Sequence, residues 1–212
     1  MNNKENREQI IRDAKSNIIL DAALKVFSEK GFHVARLEDI AAEAGFSKAS
    51  LYTYYNDKET IFLTLAIREI DQLITATKEC ILPNADVFET LEKMLRAGFA
   101  FFGRHFAFVD SAMSMKAMHC GNISAMSLGH KELIDQFKGR FDAILQVYID
   151  FVAFGQSIGA MRNDMDAKVL AGHIMALHRG VLMTWTMQKE QGNAEAEIKS
   201  IIMFTKDGSR SR

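Results

Sequence analysis

Residues 37–58, LEDIAAEAGFSKASLYTYYNDK, constrain the fold more than any other stretch of the chain. Leu37, Ile40, Ala41 and Ala44 recur at helical spacing and mark one stripe for burial. Gly45 follows them, where a left-handed residue ends a helix at least steric cost. Ser47 can then cap a second helix by accepting from its free N–H groups. In that helix Leu51 and Tyr55, four apart, point inward, while Lys48, Ala49, Ser50, Tyr52, Thr53 and Tyr54 remain largely outside. A helix this short is not stable alone, so a larger body has to hold it. Two short helices at a tight turn, the second turned outward, fit a helix-turn-helix that offers its second helix to the major groove.

The flanking sequence is helical by the same periodicity. Ile11, Ile18, Ile19, Ala22, Ala23, Val26 and Phe27 give an amphipathic helix from about Ile10 to Lys30, ending at Gly31. Asp57 caps a long helix from Lys58 to about Cys80, with Ile61, Phe62, Leu65, Ile70 and Ile74 inward, and Pro83-Asn84 end it. Asp86 caps a helix to about Gly103, Phe106–Met118 forms another, and Gly121-Asn122 interrupts. A helix from about Ser127 to Phe154 places Leu133, Phe137, Phe141, Leu145, Tyr148 and Val152 inward. Residues 155–164 connect to a helix from Asp166 to about Gln191, and a last one follows Gly192-Asn193 to about Lys206, leaving a frayed tail. No strand, repeat or low-complexity tract is evident. The expectation is an all-α protein of about nine helices.

Composition narrows the classes. With 48% hydrophobic residues in 212, the chain can bury a real core and is not disordered. No uncharged apolar run approaches the ~18 residues that span a bilayer. The polar N-terminus is no signal peptide, and Cys80 and Cys120 lack metal spacing, which together predict a cytoplasmic protein with reduced thiols. Net charge is −1, and residues 1–60 carry nine Lys or Arg against ten Asp or Glu. Few phosphates would therefore be neutralised, and non-specific affinity for DNA should be modest. Lys4, Arg7 and Arg12 read either as an arm for a minor groove or as a solvated terminus.

Residues 18–60 closely resemble the TetR family of bacterial one-component transcriptional regulators. The resemblance is carried by Ile19 to Phe27, Lys30-Gly31-Phe32, Asp39-Ile40-Ala41, Ala44-Gly45-Phe46-Ser47 and the run Leu51-Tyr52-x-Tyr54-Tyr55-x-Asp57-Lys58-Glu59. Beyond it the match is loose: helix number, and Gly159-Ala160-Met161-Arg162. The resemblance implies a three-helix DNA-binding domain at residues 1–56 and an effector-binding and dimerisation domain at 57–212, with a homodimer built on the last two helices. It implies a palindromic double-stranded operator and a repressor released by a small molecule. Matched positions for DNA are Arg36, Lys48, Ala49, Ser50, Tyr52, Thr53, Tyr54 and Lys58. Lys48 can donate to guanine and the Thr53 methyl can meet thymine, with Tyr52, Tyr54 and Lys58 on phosphates. Arg36 stands where the family usually has a hydroxyl, and a charged contact would replace it.

The body is rich in Phe and Met, which line adaptable apolar cavities as well as ordinary cores. Phe99, Phe102, Phe106, Met113, Met118, Phe141, Tyr148 and His173 are the candidate lining residues for an apolar or aromatic effector. Other polar groups in reach are His105, Asp110 and His119. In residues 167–188, Ala171, Gly172, Ala176 and Gly180 allow close helix approach, and Met183, Trp185 and Met187 join Ile198, Ile201 and Ile202 in a surface suited to a two-fold four-helix interface. His173 and His178, five apart, lie on different faces, and His119-Cys120 are adjacent, so no metal is expected. No nucleophile elbow, phosphate loop or dinucleotide fingerprint occurs, so neither a cofactor nor catalysis is expected. The competing readings are a helical ligand-binding or catalytic protein of the same fold without operator binding, and an activator.

Overall fold

In the computed structural model, residues 3–118 and 129–209 are described, with side chains at 4–109 and 129–207. The expectations for the side chains of Asp110, Met113 and Met118, for His119, Cys120 and Gly121-Asn122, and for a helix starting at Ser127 therefore lie outside the described residues. The described residues form eight helices and no strand: α1 (Asn3–Val34), α2 (Leu37–Ala44), α3 (Lys48–Tyr52), α4 (Lys58–Glu79), α5 (Val87–Met118), α6 (Lys131–Ser157), α7 (Ala167–Gln188) and α8 (Ala194–Ser209).

The difference from nine helices lies at one residue. Two helices were expected on either side of residues 104 and 105, and the structure runs them together as α5 across a kink at His105 (φ −114°, ψ 16°). Helix ends otherwise follow their punctuation. Gly31 (φ 74°, ψ 158°) breaks α1 near its end. Asp86 Oδ1 accepts from the amides of Phe88 and Glu89, both at 2.9 Å, ahead of α5. Asp166 Oδ1 accepts from the amide of Lys168 at 2.8 Å ahead of α7. Asn193 Oδ1 accepts from Ala196 at 3.1 Å within the first turn of α8.

Two compact units emerge: residues 1–68 with 106–137, and residues 69–105 with 138–212. Helices α4, α5 and α6 contribute residues to both. The core of the first unit is built from Ile19, Leu20, Ala23, Val26 and Phe27 of α1, Ile40 and Ala41 of α2, Leu51 of α3, and Ile61, Phe62 and Leu65 of α4. The expected α1 stripe is buried only from Ile19 onward; Ile11 and Ile18 are half exposed, Ile18 because it points to a different side of the helix from its buried neighbour Ile19. In the second unit α7 packs on α8. Its core includes Leu91, Met94, Leu95, Val147, Tyr148, Phe151, Val152, Met161, Ile174 and Ile198. No helix among the described residues is long and apolar enough to cross a membrane.

Candidate nucleic-acid interface

The geometry of α3 follows from its two ends. Gly45 at φ 72° closes α2, its amide bonding back toward Ala41 and Ala42, and turns the chain sharply. Ser47, in extended geometry, accepts the Ser50 amide on Oγ at 3.1 Å and starts α3. Leu51 is fully buried, and Tyr55 is buried with its hydroxyl 2.6 Å from Ser16 Oγ. Those two anchors turn Lys48, Ala49, Tyr52 and Thr53 to solvent, as the spacing predicted, while Ser50 and Tyr54 are half-buried.

Each outward side chain is held locally. The Lys48 ammonium donates to Glu38 Oε1 and stands 6.0 Å from the centre of the Tyr52 ring. Thr53 Oγ1 donates to the Ser50 carbonyl at 2.7 Å. Tyr54 meets the edge of Phe46 at 6.2 Å and the Arg12 guanidinium at 5.8 Å. Arg12, on a helix that begins well before Ile10, also reaches the Thr53 carbonyl at 3.5 Å and so lies against the end of α3.

The start of α2 is closed by the carboxylate of Asp39, its third residue. The Arg36 amide donates to Asp39 Oδ2 at 3.0 Å, and Lys30 bonds Asp39 Oδ1 at 2.8 Å, which holds that carboxyl below its ordinary value. Arg36 itself is exposed. Lys58 is half-buried. Its ammonium donates to the carbonyls of Phe32 (2.7 Å), Ala35 (2.9 Å) and His33 (3.4 Å), and stands 4.6 Å from the Phe32 ring centre. In this state Lys58 fixes the end of α1. Asp57, ahead of α4, accepts the Thr60 amide at 2.7 Å and the His130 Nε2–H at 2.9 Å. Burial alone would raise the Asp57 carboxyl, but the bonds from Thr60 and His130 outweigh it and leave it below its usual range.

The candidate effector residues divide. Phe99 and Phe102 are buried beside Trp185, with ring centres at 5.3 and 6.2 Å, and Tyr148 is buried in the same unit, where burial pushes its phenol up. Phe106 belongs to the other unit. Phe141 is half exposed, although Ile134 before it and Ile144 after it on α6 are buried. His173 is exposed, since the inward face of α7 runs through Leu170, Ala171, Ile174 and Trp185 and leaves it outside. Trp185, expected on a subunit interface, is buried within the chain, as are Ile198 and Ile201.

Sequence reasoning set His178 aside as a metal ligand and gave it no other role. Its ring leaves no room for a Cβ at Gly98 and meets Phe99 at 4.6 Å. Nε2 is covered without a hydrogen-bond partner, and burial lowers the imidazole to about 4. His105 was marked as a possible polar group, but its partner was not. Its Nε2 lies 2.9 Å from Glu69 Oε2 and its Nδ1 2.8 Å from the Phe101 carbonyl. Both ring nitrogens face acceptors, which favours the protonated ring, and its pKa is raised, chiefly by the bond to Glu69. Only the three-dimensional proximity of α4 and α5 reveals that pair.

A five-residue helix presented by buried Leu51 and Tyr55, with basic and aromatic groups outward, defines a helix-turn-helix DNA-binding protein. Residues 19–65 match the family described as bacterial regulatory proteins, tetR family. The chain is a TetR-family transcriptional regulator, the family being carried by this N-terminal segment. It is 23% identical over 198 residues to the fatty acid metabolism regulator protein of Bacillus subtilis, covering 92% of this chain and 95% of that protein. It is 45% identical over 85 residues to the transcriptional regulator RutR of Escherichia coli, covering 39% of this chain and 40% of RutR. Its fold is similar to the structure of FadR from Bacillus subtilis in complex with stearoyl-CoA (TM-score 0.73, 20% identity, 90% of this chain and 97% of that one).

Proposed function

We propose that the protein is a homodimeric repressor that places one α3 per subunit in successive major grooves of a palindromic operator and leaves it on binding a small apolar effector. The outward face of α3, fixed by buried Leu51 and Tyr55, is the observation that carries this reading. Residues 1–56 serve as the DNA-binding domain and 57–212 as the effector and dimer domain. Lys48 and Thr53 read bases, Ala49 and Ser50 permit close approach, and Tyr52, Tyr54 and Arg36 meet phosphates. Lys58 acts by holding the end of α1 in register.

A two-fold interface is supported by apolar side chains left outside on the last two helices: Val169, Met183 and Met187 of α7, and Met203 and Phe204 of α8, each 40% or more exposed. Gly172 and Gly180 have open space around them, which a partner helix can enter. For the effector, the similarity to a FadR bound to stearoyl-CoA supports a long-chain acyl-CoA, with its apolar tail among Phe99, Phe102 and their neighbours. The protein acts in the cytoplasm, where such a ligand and the operator meet.

The test is a fluorescence-anisotropy titration against the duplex upstream of the protein's own gene, with sedimentation of the free protein. Dimers that bind the duplex, lose it on addition of stearoyl-CoA, and lose it in Tyr52→Ala support the reading. Monomers at working concentration, or no binding at low salt, overturn it.

A further inference from the structure

We propose that Glu38 is a specificity-determining residue, which accepts from the cytosine N4 amine of a G·C pair whose guanine is taken by Lys48. The inference rests on α3 being the recognition helix. Glu38 is the second residue of α2 and Lys48 the first of α3, and the Gly45 turn with the Ser47 cap brings these two helix starts together. Glu38 Oε1 accepts from the Lys48 ammonium, and both side chains are more than half exposed. The Tyr52 ring flanks the same ammonium. An acceptor and a donor therefore stand side by side on one exposed surface.

Glu38 is not needed to start α2, because Asp39 already accepts from the Arg36 amide and from Lys30. Its carboxylate is held below the ordinary range, first by the bond from Lys48. On a face turned toward phosphates, such a charge lowers affinity for every sequence unless a base donor meets it. The major groove offers two such donors, the N4 amine of cytosine and the N6 amine of adenine. Lys48 decides between them. Beside cytosine N4 stand two adjacent guanine acceptors, O6 and N7, which one ammonium can take together, whereas adenine N6 stands between its own N7 and thymine O4, so that the acceptors are split to either side of the donor. The paired Lys48 and Glu38 thus complement the edge of G·C. The competing account is an ordinary surface ion pair, which contributes little and carries no sequence preference.

The test uses the full-length protein and an operator selected by it from random duplex. Each half-site position is changed to the other three base pairs, and binding is measured by anisotropy competition for wild type, Glu38→Ala, Glu38→Gln and Lys48→Ala. At one G·C pair per half-site, Glu38→Ala should lose a preference on the order of tenfold to a hundredfold. Its affinity for non-specific DNA should stay equal or rise, since a negative charge has left the surface. Lys48→Ala should lose preference at the same pair. Glu38→Gln keeps the length of the side chain and, with an amide that can pair with adenine, should admit adenine there. A Glu38→Ala profile parallel to wild type overturns the inference, as does a lost preference at an A·T pair or at a different pair from Lys48→Ala. Those results leave α3 as the reader; a wild-type protein that selects no sequence at all removes that reading, and this inference with it.

Discussion

In the first unit the interior is hydrocarbon and ring. Phe27, Phe32, Phe62 and Phe108 stand with centroids 4.9 to 6.5 Å apart, and the Tyr55 hydroxyl reaches its partner Ser16 at the margin. In the second unit, by contrast, lie the buried polar residues among those described: Glu69, Thr77, Thr90, His105, Thr186 and Thr205, with the covered imidazole nitrogen of His178 besides. The unit that carries α3 keeps its chemistry on the outside, where an apolar base holds it in register. The other unit encloses titratable groups, so its interior responds to protonation, whereas the shifted carboxyls of the first unit, Asp39 and Asp57, lie outside its apolar core. Apolar packing is insensitive to pH, while a group whose pKa differs between folded and unfolded chains makes stability depend on it.

The largest effect tests the apolar side of that contrast. Phe27 is fully buried and touches three other rings. Phe27→Ala should cost about 3 to 5 kcal/mol by leaving a cavity the rings cannot close. The loss, measured by urea denaturation, should be the same at pH 5, 6.5 and 8. A loss that varied with pH would break the comparison.

Next comes the ion pair at the α5 kink. Glu69→Ala should cost about 3 kcal/mol near pH 6, the low end for a broken buried pair because His105 can shed its proton. The folded His105 pKa lies above its ordinary 6.5. Its contribution is therefore fully present below about 6.5 and is lost as pH rises through the raised folded value. The gap between wild type and Glu69→Ala should shrink from pH 6 toward pH 9. A constant gap would show that the pair acts by shape alone.

His178 should respond with the opposite sign. Its folded pKa is lowered to about 4. Above about 6.5 the imidazole is neutral in both states and the proton linkage is nil; as pH falls from there to 4 the unfolded chain takes up the proton first. The resulting loss for the wild type is roughly 3 kcal/mol at about pH 4. His178→Gln should flatten that acid limb while leaving the alkaline fall due to His105 in place. Equal acid limbs in the two proteins would mean that His178 is charged, or wet, in the folded state.

The same contrast explains which parts could be read from residues alone. The stop at Gly45, the cap at Ser47 and the inward pair Leu51 and Tyr55 depend on neighbours within a few positions, and each stands where the spacing placed it. So do the caps Asp86 and Asp166. The pairing of Lys48 with Glu38 needed the turn between two helices, and Lys58 on the carbonyls of Phe32 and Ala35 needed two helices folded together. Glu69 with His105 and Gly98 with His178 join residues 36 and 80 positions apart, and no local pattern announces them. Trp185 and His173 were misplaced for one reason. Periodicity gives the faces of a helix, but which face meets the core depends on partners the spacing does not name.

The smallest effect sharpens the contrast most finely, because it separates holding a fold from holding a reader. Ser47 Oγ accepts the Ser50 amide at 3.1 Å and lies 2.8 Å from Ser50 Oγ, at the start of a helix five residues long. Ser47→Ala should cost about 1 kcal/mol of local order, and Ser47→Gly only a few tenths. The rings beneath do not depend on this cap, so the global unfolding midpoint should move less than the local cost suggests. Operator affinity should carry the whole cost, falling roughly fivefold for each 1 kcal/mol spent re-forming α3 on the duplex. The expected signature is therefore a weakened anisotropy isotherm in Ser47→Ala beside a nearly unchanged denaturation curve, with Ser47→Gly close to wild type in both. Equal losses in affinity and in global stability would mean that α3 unfolds only with the whole unit, and that the reader and its apolar base form one cooperative body.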